Sequence, residues 1–230
     1  MAWYSPARTV PITRWRSPRR WSAKPSTLVV LVIGLTLFGL GEAVVVKAGL
    51  GNGPWTVFAQ GLTVRTGLAI GLTTLIISGV VLLIWIPLRE KLGLGTIANA
   101  IVISAALQVG VLVLPDVSHP IVAVAAVIVG VALIGLGSGL YLTTNMGPGP
   151  RDGAMTGIHN RTGWPIYAVR LGIEVTVVII GWLLGGTVGI GTVLFALLIG
   201  PFVGYGLMLV GRFAGTGGSA PTDSDPALEA

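Results

Sequence analysis

The sequence predicts an all-α fold: a polytopic transmembrane helix bundle made of two related three-span repeats. Three observations predict it: a repeat at fixed offset, a composition too poor in charge for a soluble surface, and six apolar runs of spanning length. The repeat is the sharpest. Gly34, Gly39, Gly41, Gly51, Gly53, Pro54, Gly61, Arg65, Thr66, Gly67, Gly93, Gly95, Thr96 and Gly110 recur 96 positions later as Gly130, Gly135, Gly137, Gly147, Gly149, Pro150, Gly157, Arg161, Thr162, Gly163, Gly189, Gly191, Thr192 and Gly206. About two dozen identities fall over about 80 aligned positions without a gap. Most are Gly, Thr or Pro, which hydrophobic composition alone would not place in register. The chain is 53% hydrophobic and only 10% charged, where a soluble domain carries about 25% charged residues.

Residues 1–26 read as a basic, Arg/Trp-rich cytoplasmic tail. Arg8, Arg14, Arg16, Arg19, Arg20 and Lys24 precede the first apolar run with no acid among them. Trp3, Tyr4, Trp15 and Trp21 interleave with them, which suits a headgroup layer. Such a cluster holds an N-terminus at an anionic membrane face, and no nucleic-acid partner is expected. A secretory or twin-arginine signal is the competing reading of 27–47. It is disfavoured, because a removable signal has no reason to match 123–143 in register. There is no cysteine, so no disulfide or thiol chemistry is available.

Repeat 1 occupies 27–115, with spans at 27–47, 69–88 and 94–114. Repeat 2 occupies 121–211, with spans at 121–143, 165–185 and 190–211. Each run is about the 20 residues that a bilayer requires. Between the first two spans of each repeat lies a shorter stretch, 54–66 and 150–162. Each follows a Gly, begins with Pro and runs into Arg-Thr-Gly. Both are too short to cross comfortably and read as re-entrant or interfacial helices. Proline suits a first helical turn, and Gly67 and Gly163 stand where C-cap glycines belong. Residues 212–230 read as a disordered cytoplasmic tail.

Lys and Arg in the loops set the orientation. The N-terminus, the loop 86–93 with Arg89 and Lys91, the loop 144–164 with Arg151 and Arg161, and Arg212 would lie inside. The loops 48–68, 115–120 and 186–189 would lie outside. Arg65, with Lys47 at the edge, runs against the bias. Both termini are then cytoplasmic and the location is the plasma membrane. Three spans is an odd number, so the second repeat would enter from the opposite face. The repeats would be inverted, and the two Gly-Pro segments could meet near the middle. Their N-termini would aim free N–H groups and positive dipole ends at a common site.

The candidate substrate-binding residues are Glu42, Asn52, Gly53, Gly149, Arg151, Asp152, Arg170 and Glu174. The stretches 49–55 and 145–153 carry the glycines that allow close backbone approach. Tight interhelical turns explain them equally well. Glu42, Arg170 and Glu174 lie within apolar spans, where ionisable groups are costly and usually mark a site. Arg170 and Glu174 share a helix face, and a helix-locking ion pair is the plainer reading. The pairs Gly135/Gly139, Gly181/Gly185 and Gly200/Gly204 have the spacing of close helix packing.

The Gly-x-Gly-Pro-Trp at 51–55, the Gly-Pro-Gly-Pro-Arg-Asp-Gly at 147–153 with Gly157 following, and the Gly-x-Gly-Thr at 93–96 and 189–192 resemble the YczE-like bacterial integral membrane proteins. These are related in pattern to the YitT-type membrane families. The resemblance covers about residues 28–211. It implies a multi-pass bacterial plasma-membrane protein and no particular substrate.

The expected function is a transporter or channel for a small anionic or zwitterionic solute. The alternative is a non-transporting accessory protein that supports a biosynthetic or export complex. The partners are the lipid bilayer, an unknown small solute and, on either reading, a second copy or a protein partner. An enzyme is not expected: the chain lacks a His-Glu-x-x-His motif, a Gly-x-Ser-x-Gly elbow and a phosphate-binding loop ending in Gly-Lys. No cofactor or metal is expected.

Overall fold

The computed structural model describes residues 10–21 and 24–219. Trp3, Tyr4 and Arg8 of the basic tail, and residues 220–230 of the other tail, lie outside the described residues. The described chain forms eight helices: α1 (Pro25–Ala48), α2 (Pro54–Thr66), α3 (Ile70–Leu88), α4 (Leu94–Val113), α5 (Pro120–Leu142), α6 (Pro150–Thr162), α7 (Ile166–Leu183) and α8 (Ile190–Ala214). Six of them, all but α2 and α6, are long and apolar enough to cross a bilayer. Their outward faces carry Val32, Ile33, Leu83, Leu112, Ile121 and Leu197, all exposed. Such a surface is suited to lipid rather than water.

Local chemistry fixes the two short helices. In α2, Pro54 fills the first turn, Gly53 is the N-cap with no side-chain cap, and Gly67 ends the helix at φ 72° with its N–H on the Thr63 carbonyl. In α6, Pro150, Gly149 and Gly163 do the same, with Gly163 at φ 71° and its N–H on the His159 carbonyl. Only glycine takes this left-handed geometry without penalty. In the loops before them, Gly51 and Gly147 stand at φ 108° and 107°, and Gly49 and Asn145 at φ 69° and 57°.

Asn145 donates through Nδ2 to the Ser17 carbonyl at 3.0 Å, so it holds the turn and the N-terminal segment together. Asn145→Gly should lose that hydrogen bond alone. Asn145→Ala should lose it and add about 1–2 kcal/mol of left-handed strain. Thermal unfolding in detergent should therefore rank wild type above Asn145→Gly, and Asn145→Gly above Asn145→Ala.

The centre of the molecule is the crossing of α1 and α5, which run antiparallel. A Cβ at Gly34 would stand 2.9 Å from the Gly137 carbonyl oxygen, and one at Gly137 would stand 2.5 Å from that of Gly34. About two turns along, Gly41 and Gly130 approach each other in the same way, at 2.6 and 2.7 Å. Glycine at all four positions lets the backbones touch. Helix α4 packs on α1, and α8 packs on α5. The short helices are exchanged: α2 packs on α7, and α6 packs on α3. The backbone links are reciprocal too. Gly95 N–H donates to the Met146 carbonyl and Gly191 N–H to the Leu50 carbonyl, each at 2.8 Å.

The exchanged contacts are filled differently. Gly181 on α7 makes room for Val57 and Phe58 of α2. At the corresponding place α3 carries Trp85, and Gly153 of α6 makes the room instead. Trp85 is buried, and its Nε1 donates to the Pro150 carbonyl at 2.9 Å. Of the spaced glycines, Gly135 and Gly139 meet Phe202 and Gly206 of α8, whereas Gly200 faces open space.

Residues 212–219 are not a disordered tail, which corrects that expectation. Helix α8 continues to Ala214, and β2 (Gly215–Ser219) pairs antiparallel with β1 (Pro11–Thr13). The reason is backbone pairing: Arg14 N–H donates to the Ala214 carbonyl, so the chain end is held by the segment at the other terminus. That segment straps one end of the bundle. Thr13 Oγ1 donates to the Thr143 carbonyl, Trp15 Nε1 to Thr143 Oγ1, and Arg20 to the Lys91 carbonyl. At the opposite end Lys47 pairs with Asp116 at 3.0 Å.

Candidate functional site

The beginnings of α2 and α6 meet beside α1. Trp55 and Arg151 follow the two Gly-Pro pairs, 96 positions apart. The Arg151 guanidinium lies over the Trp55 ring, 5.1 Å from its centroid. This is within the range in which a ring face attracts a cation. A positive charge in the first turn opposes the helix dipole. Arg151 is held there by Trp55 and by Glu42, whose Oε1 lies 3.5 Å from an Arg151 terminal nitrogen. Close charge-assisted pairs stand at about 2.7–2.9 Å, so this one is loose.

Glu42 is buried within α1, with 3% of its side chain exposed, while Arg151 keeps 20%. The second carboxylate oxygen of Glu42 accepts from Thr56 Oγ1 at 2.9 Å. Asp152 sits in the first turn of α6, where an acid suits the dipole. Its Oδ2 accepts from Tyr141 OH at 3.0 Å. The Asn99 amide lies at the Gly149 N-cap, where a Cβ would be 3.1 Å from Nδ2. The matching position at Gly53 is closed by the Phe195 ring, 2.7 Å from such a Cβ. One mouth is thus polar and the other aromatic.

Two buried polar atoms here have no hydrogen-bond partner among the described residues: Trp55 Nε1 and Asn52 Oδ1. Asn52 spends its Nδ2 on Gln60 Oε1 at 2.8 Å, and Gln60 also accepts from the Thr187 N–H. Native proteins rarely leave such atoms unpaired, so each needs an account.

The structure brings Glu42 and Arg151 into contact, with Asp152 and Gly149 alongside. Asn52 and Gly53 lie at the start of α2 against Gln60 and Phe195. Among the described residues Arg170 and Glu174 join only each other, at 2.9 Å on α7, with 52% and 26% of their side chains exposed. No described contact links them to Glu42 or Arg151. Trp55, Thr56, Asn99 and Tyr141 were not among the expected site residues. A signal for Trp55 existed in the sequence: it directly follows the first Gly-Pro pair, as Arg151 follows the second, 96 positions on. Among the described residues no group of three or more His, Asp or Glu side chains is placed to hold a metal ion.

Six apolar helices, lipid-suited outer faces and a small charged cluster inside define a polytopic helical membrane protein. The chain belongs to the family DUF6198, described as a family of unknown function, whose model matches residues 25–207. It is 40% identical over 205 residues to an uncharacterised protein of Haemophilus influenzae, covering 89% of this chain and 94% of that one. It is 32% identical over 189 residues to the uncharacterised membrane protein YczE of Bacillus subtilis, covering 82% and 85%. A second Bacillus subtilis protein, the uncharacterised YyaS, is 27% identical over 185 residues, covering 78% and 92%. The expected resemblance to YczE-like membrane proteins therefore holds. No solved structure matches the chain.

Proposed function

We propose that the protein is a plasma-membrane transporter built from two inverted repeats, and that it carries a small anionic or zwitterionic solute through a site at Arg151 and Glu42. The observation that carries the reading is the Arg151–Trp55 contact beside buried Glu42, where the two short helices begin. Counterpart helices α1 and α5 run antiparallel, as inverted repeats require. The first turns of α2 and α6 have no side-chain caps, so their N–H groups are available to an anionic group. Trp55 Nε1 adds an unused donor. Glu42 is a counter-charge for an ammonium. The basic strap, Lys91 and the end of α8 share one end of the bundle, which favours cytoplasmic termini. The protein acts without catalysis on this reading.

The test is a stabilisation panel on the purified protein in detergent. It uses free amino acids, short carboxylates, inorganic phosphate and quaternary ammonium zwitterions. At least one carboxylate-bearing or zwitterionic compound should raise the melting temperature of wild type in a saturable way, and Arg151→Lys should weaken its binding tenfold or more. Stabilisation by none, or equal stabilisation of Arg151→Lys, would sink the reading.

A further inference from the structure

Resting on the transport reading, we propose that the cleft between α7 and α8 is the solute's access path in the state described, and that it closes in exchange for opening the matching α3–α4 contact. The two halves differ most at this place. Helix α3 packs along α4, whereas α7 and α8 at most touch. In the most apolar stretch, 44% of α3 residues are buried but only 11% of α7 residues. On α3, Gly71, Thr74 and Ser78 form one stripe, spaced i, i+3, i+7. Gly71 N–H donates to Gln108 Oε1 at 3.0 Å, and a Cβ there would stand 2.5 Å from the Ser104 carbonyl. Thr74, Ser78 and Ser104 are buried.

Their counterparts 96 positions on are Tyr167, Arg170, Glu174 and Gly200. Tyr167 is 73% exposed, and Gly200 has nothing within 4 Å of its Cβ position. The stripe that is shut in the first half therefore stands open in the second, and it carries an ion pair instead of two hydroxyls. Glu174 lies midway along α7, where exposure to lipid would be costly. A water-filled cleft that admits a charged solute explains both the opening and the charges. Alternating access requires one flank to close as the other opens. Tyr167 stands where Gly71 does, so α7 would close on α8 at a wider spacing than α3 keeps from α4.

The experiment uses the full chain in native membranes with three replacements, Tyr167→Cys, Gly200→Cys and Ser78→Cys. The first two sites are exposed and the third changes a single atom, so folding should be retained. Copper-phenanthroline oxidation should link positions 167 and 200 within one chain. Maleimide labelling at position 78, slow beforehand, should then rise several-fold as α3 leaves α4. No intrachain link, a link at the mass of a dimer, or a link without faster labelling at 78 would each overturn the proposal. None of these readouts needs a solute, so they can fail while the stabilisation panel succeeds, or succeed while it fails.

Discussion

Arg151→Ala should destabilise the folded protein by about 3–5 kcal/mol, because it leaves the Glu42 carboxylate buried without its counter-charge. Only 3% of the Glu42 side chain is exposed with Arg151 in place, so its carboxylate relies on its protein partners. Thr56 Oγ1 would remain as a donor to one carboxylate oxygen, and it is neutral. The second effect is loss of the cation over the Trp55 ring. Glu42→Gln keeps an oxygen for Thr56 and removes the orphaned charge. The double variant Glu42→Gln/Arg151→Ala should therefore recover at least half of the loss. Unfolding in detergent, read as a double-mutant cycle, measures the coupling directly. Additive losses would show that the two side chains do not interact.

Gly137→Ala should be strongly destabilising for a single added methyl. Its Cβ would stand 2.5 Å from the Gly34 carbonyl oxygen and 2.8 Å from the Phe38 nitrogen. Both obstacles are backbone of a facing helix, so no side chain can turn aside. Helices α1 and α5 would have to separate, and such overpacking costs about 1–3 kcal/mol or more. Gly79→Ala and Gly172→Ala are the controls, since neither Cβ would meet anything within 4 Å. Both should be neutral, or stabilising by up to about 1 kcal/mol from helix propensity. A Gly137→Ala protein as stable as these controls would show that the central crossing is looser than described.

The short helices were legible to the residue because their signals are local. A Gly-Pro start and a glycine in left-handed geometry at the end bound 54–66 and 150–162 without help from the fold. The six long helices differ from the apolar runs by a few residues at their ends, where hydropathy fades gradually. The site was legible in part. Glu42 was visible as a charge inside an apolar span and Arg151 as part of the Gly-Pro-Arg-Asp-Gly stretch, but their contact depends on how α1, α2 and α6 converge. Tyr141 and Asn99 carry no pattern of their own and enter through packing alone. Arg170 and Glu174 have the same charge signal as Glu42, yet α7 turns them to its open flank. Hydropathy cannot distinguish a charge facing the centre from one on an exposed flank. The strand at Gly215–Ser219 was missed because its glycines pair with residues about 200 positions earlier, a long-range contact that composition does not report.

The inverted arrangement is the central claim, since the shared site depends on it. It is tested most directly by single-cysteine accessibility at Thr66 and Thr162, the matching ends of α2 and α6. The chain has no native cysteine, so each probe reports alone. Both side chains are exposed, and each hydroxyl donates to a carbonyl of its own helix and accepts from the backbone N–H two residues on, that of Leu68 or Trp164. An impermeant thiol reagent should label Thr66→Cys in intact cells and Thr162→Cys only after permeabilisation. Labelling of both from the same side would mean parallel repeats, and the account of a site shared by two opposed half-helices would be wrong.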